Sequence, residues 1–139
     1  MTPDQIRRVR TSFSLLLPNA KEAAALFYAN LFEADPSLRP LFRSNVEQQG
    51  VKLMQALGAA VGLLEKPEVL LPVLRQMGAR HGGYGVKPEH YGVVGATLLK
   101  TLGQGLGDAF DAETRAAWAA LYAVVADTMI EAGRPQMAA

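Results

Sequence analysis

A proline opens four separate stretches of helical period in this chain, and no stretch reads as a strand, so the fold has to be built from helices. Pro3 follows Thr2, and Gln5 is placed to reach back to the Thr2 amide, the pattern of a capping box. Asp35 and Pro36 repeat the cap-then-proline signal, and Pro67 and Pro88 begin further segments. The first helix is predicted from this start to about residue 16, where Pro18 and Asn19 break it. A second, dense in alanine, leucine and glutamate, covers about residues 19–34, and a short helical piece after Asp35 reaches Phe42. Beyond polar residues 43–45, a long helix carries the stripe Val46, Gln49, Leu53, Leu57, Ala60 and Leu64. Pro72 lacks the amide that a helix interior needs, which predicts a short turn before it and a helix bearing His81 after it, ended by Gly82 and Gly83. Pro88 starts a helix to about residue 105, and Asp111 caps the last one, which holds Trp118, Leu121, Tyr122 and Val125 on one side. With no hairpin signal, internal repeat or second domain, the expectation is one all-α domain over residues 1–139, with six to seven helices and short connections.

A chain of 139 residues can bury roughly two-thirds of its unfolded surface around one core. Half of it is apolar, the net charge is +1, and the basic residues are spread rather than gathered into a stripe, which argues against nucleic acid as a partner. The N-terminus opens polar and charged, and no apolar run approaches the roughly 20 residues that span a bilayer, so the expectation is a soluble cytoplasmic protein without a membrane partner. Absence of cysteine excludes a disulfide framework, a thiolate metal site and thiol catalysis.

Only two histidines remain as candidate soft-metal ligands, and one of them is out of place. Leu70, Leu74, Met77 and His81 share one helical stripe, so the His81 imidazole extends an apolar face inward and needs a partner on each nitrogen. His90, in a first helical turn beside Glu89, is expected to be exposed and receives no role. Gln49 lies on the stripe of Leu53 and Leu57, whereas Gln48 falls with Lys52 and Gln55, so Gln49 is the inward glutamine. Tyr28 lies in the apolar segment Leu26-Phe27-Tyr28-Ala29-Asn30-Leu31-Phe32, where a buried hydroxyl needs a hydrogen-bond partner. A ligand cavity would account for all three polar groups together, although taken singly each also fits a core residue satisfied by the backbone.

Several blocks carry a family likeness: Phe27-Tyr28-Ala29-Asn30-Leu31-Phe32, then Asp35-Pro36 to Leu41-Phe42, and above all Arg80-His81-Gly82-Gly83-Tyr84-Gly85-Val86 followed by His90-Tyr91-Gly92-Val93-Val94-Gly95. Over nearly its whole length the chain resembles the single-domain bacterial globins, with the globin part of flavohaemoglobins and vertebrate neuroglobin further off. That resemblance implies a globin fold, a three-over-three sandwich of helices around haem b. It implies His81 as the proximal iron ligand, with its other ring nitrogen donating to a backbone carbonyl one turn earlier. Phe42 matches the globin phenylalanine that packs on the porphyrin, Tyr28 and Gln49 match the distal tyrosine and glutamine, and Leu53 matches the apolar distal residue. Met77, Val86, Val94 and Leu98 are expected to line the porphyrin. Lys52 and Arg80, each next to a pocket residue, are candidates for its propionates or ordinary solvated cations. Tyr91 matches the proximal tyrosine of flavohaemoglobins, but the place of that family's glutamate falls on Gly133, and Glu131 lies on another face.

On this resemblance the leading expectation is reversible, high-affinity dioxygen binding, with Tyr28 and Gln49 donating to a partly negative ligand. A net gain of roughly 1 to 3 kcal/mol from such a bond corresponds to about tenfold to a hundredfold slower release. The alternatives are a nitric oxide dioxygenase served by a separate reductase, since no flavin or nicotinamide motif occurs in the 139 residues, and a haem-based sensor of a gas such as nitric oxide or carbon monoxide.

Overall fold

The computed structural model describes residues 1–42, 45–83 and 86–133, and among these the chain forms six α-helices and no strand. They are α1 (Pro3–Leu16), α2 (Ala20–Ala34), α3 (Val46–Gly62), α4 (Pro67–Gly83), α5 (Pro88–Leu106) and α6 (Ala112–Gly133), with short 3-10 turns at Leu17–Asn19, Pro36–Leu41 and Gly107–Ala109. The polar break at 43–45 and the Tyr84-Gly85 part of the histidine block lie partly or wholly outside the described residues.

The caps fall where the side chains dictate. Thr2 and Gln5 close the capping box in both directions, at 3.1 and 2.9 Å. Asp35 accepts from the Ser37 amide at 3.0 Å, and Asp111 accepts from the Thr114 amide at 2.8 Å. Asn45 fixes the start of α3 by accepting from the Gln48 amide at 2.8 Å.

One expectation fails. No turn precedes Pro72: α4 runs unbroken from Pro67 to Gly83 with Pro72 inside it. The missing amide deprives only the carbonyl one turn back, that of Glu68. Both residues are exposed, so solvent can satisfy that carbonyl and the packing of the buried face carries the helix through.

Two apolar clusters hold the helices together. The larger gathers Val9, Phe13, Leu16, Phe27, Leu31, Leu38, Leu98, Leu102, Trp118 and Leu121, drawn from α1, α2, α5, α6 and the turn after α2. The smaller joins Ala60 of α3, Leu70 and Leu74 of α4 and Met129 of α6 where α4 lies along α6. Buried polar groups are paired across helices. The Trp118 indole donates to Ser12 Oγ at 2.8 Å, and the Asn30 amide donates to Thr101 Oγ1 at 3.1 Å and to Gln104 Oε1 at 2.8 Å.

α2 packs along both α3 and α5, and α4 packs along α6, whereas α3 and α4, although consecutive, come together chiefly at Ala60, which packs with Leu70 and Leu74. Away from Ala60 their apolar stripes do not close on each other.

Candidate functional site

Burial fades along the apolar stripes of α3 and α4. On α4, Leu70 and Leu74 are fully buried, while Met77 and His81 further along the same face are only half-buried. On α3, Ala60 is buried, whereas Val46, Gln49, Leu53 and Leu57 remain half-exposed although three of them are large and apolar. These apolar side chains at helical period are thus only partly covered by the protein itself.

His81 is in the last turn of α4. Its Nδ1 lies 2.7 Å from the Met77 carbonyl, one turn back, as expected. A carbonyl can only accept, so Nδ1 carries a proton, and in the neutral ring the lone pair falls on Nε2. The chain then leaves α4 through the His81 carbonyl, which accepts from the Val86 amide at 3.1 Å. Val86, half-buried, is thus tied directly to the histidine it follows.

Tyr28 is 4% exposed and is held by rings on three sides. Phe27 and Phe42 meet it edge-on at 5.1 and 5.3 Å, and Phe32 stacks at 6.0 Å. Phe42 follows the 3-10 turn in extended conformation, half-buried, with its ring also 5.4 Å from Phe32. The Tyr28 hydroxyl donates to the main-chain carbonyl of Gln49 at 3.3 Å. Burial pushes the phenol up to about 12, so it stays a protonated donor across the neutral range.

Gln49 is half-buried and Gln48 exposed, which agrees with the choice made from periodicity. What the pattern could not show is that the backbone of Gln49, not its amide, meets Tyr28. The reason is the tight crossing of α2 and α3: a Cβ on Gly50 would lie 2.9 Å from the Ala24 Cβ, so only glycine allows this approach.

The remaining candidates divide. Val94 is half-buried beside the main core, while Leu98 is 6% exposed and belongs to the core proper. Lys52 and Arg80 are exposed, and neither pairs with a carboxylate among the described residues. Tyr91 is half-buried against the smaller cluster, its phenol raised by burial, and its own carbonyl accepts from the Tyr122 hydroxyl at 2.6 Å. Glu131 is exposed, and Gly133 is the last residue of α6.

His90 is the residue that sequence reasoning underrated. It is partly buried and its Nδ1 accepts from the Lys87 amide at 2.9 Å, which caps α5 directly before Tyr91. The signal was its place three residues after Lys87, at the position of a reciprocal cap.

An open cleft of about 290 Å³ lies between α1 and the start of α6, lined by Arg7, Arg8, Thr11, Ser12, Leu15, Ala109 and Thr114. Asp4 engages both arginines, and Arg8 also meets Asp111 and Glu113, so its charges are already spent on holding α1 to α6. Among the described residues no group of three or more histidine or acidic side chains could hold a metal, and no helix is long and apolar enough to cross a membrane.

Among the described residues the chain combines six helices, a histidine in the last turn of α4 and a tyrosine buried among phenylalanines, which accords with the globin fold expected from the sequence. The globin family model matches residues 25–129, and the chain belongs to that family. It is 34% identical to a flavohemoprotein of Bordetella parapertussis, over all of this chain and 35% of the relative, and 32% identical to one of Rhodopirellula baltica, over 90% of this chain and 31% of the relative. The chain thus spans about a third of the length of these relatives. Among solved structures, a bacterial globin of Campylobacter jejuni superposes with a TM-score of 0.82 at 28% identity, covering 95% of this chain and 96% of that one. An engineered carbene transferase from a Rhodothermus marinus protein assigned as a nitric oxide dioxygenase superposes with a TM-score of 0.84 at 27% identity, covering 94% and 92%.

Proposed function

We propose that this chain is a cytoplasmic globin domain over residues 1–139 that holds haem b between α3 and α4 and binds dioxygen reversibly. The observation that carries the reading is the 2.7 Å contact of His81 Nδ1 with the Met77 carbonyl. It fixes the tautomer whose Nε2 lone pair suits iron, and it makes that nitrogen more basic. The residues around His81 suit the rest of the group: Phe42, Leu53, Leu57, Met77, Val86 and Val94 offer partly exposed apolar surface, and Lys52 and Arg80 stand exposed as cations for carboxylates at the rim. Haem, once bound, supplies a ferrous iron able to take a diatomic gas.

Everything else is done by the protein. His81 would hold the iron, and the Met77 carbonyl keeps its ring from turning. Tyr28, buried and protonated, points an O–H dipole that stabilises a partly negative ligand in a low-dielectric pocket, with the Gln49 amide as a second donor. Leu53 and the ring of Phe42 exclude water from the same space. Purified protein is expected to show an intense Soret band that His81→Ala abolishes. A parent without that band would end the reading. Tyr28→Phe is expected to speed dioxygen release about tenfold or more, and an unchanged rate would remove Tyr28 from it.

A second reading, nitric oxide dioxygenase, is favoured by the assignment of the Rhodothermus marinus neighbour. It needs a reductase partner to restore ferrous iron. The proximal side weakens it, since no carboxylate stands at Gly133 and Glu131 is exposed. Nitric oxide consumption with host reductases, at rates above those of a generic globin, would favour the enzyme.

A further inference from the structure

We infer that the main-chain carbonyl of Gln49 is a built-in competitor for the Tyr28 hydroxyl proton, and that Gly50, as a positioning residue, sets how strongly it competes with a bound gas. The inference rests on the reading of Tyr28 as the donor to that gas. A phenol has one proton to give, so every acceptor within reach divides its strength. The structure gives Tyr28 one acceptor, the Gln49 carbonyl, at 3.3 Å, which is long for an O–H···O bond. A long bond restrains the hydroxyl without capturing it. The hydroxyl is kept aimed at the first turn of α3, yet a ligand of greater negative charge can take the proton over.

That separation is not set by either partner's side chain. Phe27, Phe32 and Phe42 fix the ring of Tyr28 on the α2 side. The carbonyl belongs to α3, whose distance from α2 is set where Gly50 meets Ala24, one residue along from Gln49 and one turn before Tyr28. A methyl on Gly50 would lie 2.9 Å from the Ala24 methyl, closer than real side chains come, so the helices must part by some tenths of an ångström. A bond already at 3.3 Å has no reserve for that. The Asn45 cap acts on the same turn, since it holds the Gln48 amide at 2.8 Å.

The test uses the haem-loaded chain and reads two quantities, the dioxygen dissociation rate and the C–O stretching frequency of the ferrous carbon monoxide adduct. The second reports the donor facing the ligand, independently of any turnover. Gly50→Ala withdraws the carbonyl and frees the proton, so release is expected to slow about threefold or more, with the C–O frequency lowered. Ala24→Gly added to Gly50→Ala returns the missing space on the other helix and is expected to restore both values. Asn45→Ala loosens the same turn from an exposed position and is expected to move both values the same way by less, which keeps the inference testable if Gly50→Ala does not fold. Parent values in both Gly50→Ala and Asn45→Ala would overturn it. So would Gly50→Ala release as fast as that of Tyr28→Phe, since the glycine would then be holding the tyrosine itself. Tyr28→Phe in the same series separates the two readings: if it leaves release unchanged, the role of Tyr28 fails, whereas if it speeds release while Gly50→Ala and Asn45→Ala keep parent values, only the competing carbonyl fails.

Discussion

Gly78 of α4 stands so close to Met129 of α6 that a methyl group on the glycine would come within 2.4 Å of the Met129 carbonyl oxygen. The obstacle is backbone, which cannot swing aside as a side-chain tip can. α4 is therefore seated against α6 by the absence of one methyl group, and His81 sits three residues further along the same helix.

Gly78→Ala is accordingly expected to destabilise the protein by about 1–3 kcal/mol, the usual cost of overpacking a close contact, even though alanine is the better helix former. Thermal denaturation measures it. A melting temperature at or above that of the parent would contradict the contact between α4 and α6.

Trp118 is fully buried, and its indole N–H has Ser12 Oγ as partner at 2.8 Å, while the Ser12 hydroxyl donates to the Arg8 carbonyl at 2.7 Å. Ser12→Ala removes the acceptor and leaves a buried donor unpaired, which costs about 1–3 kcal/mol. Arg7→Ala, which breaks only an exposed ion pair with Asp4, is expected to cost less than about 1 kcal/mol. Urea denaturation of the two variants should rank them in that order, and equal losses would show that the indole finds another acceptor.

Alkaline stability follows from the tyrosines. Burial raises the Tyr28 phenol to about 12 and drives Tyr122 upward as well, while an unfolded chain ionises its tyrosines near 10. A group whose folded value is raised contributes its stability in full below the unfolded value and loses it as pH rises through the folded one. Stability is therefore expected to hold to about pH 10 and to fall between about pH 10 and 12. Tyr28→Phe should flatten that fall. A variant that loses stability with the parent slope over this interval would show that another group carries it.

The cap residues show what local sequence can carry. Thr2 with Gln5, Asp35 with Ser37 and Asp111 with Thr114 bond within a few residues, so the chemistry that makes them caps is written in adjacent letters. Periodicity likewise separated Gln49 from Gln48 and placed His81 on the face of Leu70 and Leu74, because a helix repeats its faces. Pro72 misled because the cost of one lost hydrogen bond is local, while the burial of Leu70 and Leu74 that offsets it comes from α6. The same applies to Asn30, whose partners Thr101 and Gln104 are more than 70 residues away, and to the carbonyl of Gln49, whose place depends on a missing methyl group in Gly50. A contact between distant segments has no local signature.

Haem itself, on the proposed reading, should redistribute stability unevenly. α1 and α6 are already joined by the Ser12–Trp118 bond and by Arg8 with Asp111 and Glu113, so a ligand adds little there. α3 and α4 present partly exposed apolar faces at Leu53, Leu57 and Met77 and come together chiefly at Ala60, so a group bound between them adds most support to those faces. A ligand present at about a thousand times its dissociation constant stabilises the folded state by roughly 4 kcal/mol. Adding haem to the haem-free chain is thus expected to raise the melting temperature. The gain in amide protection should concentrate in the His81 end of α4 and the Gln49 end of α3, since those are the segments that open most readily without cover. Hydrogen exchange compared with and without haem reads this directly. Protection spread evenly over all six helices would mean that the group does not bind between α3 and α4.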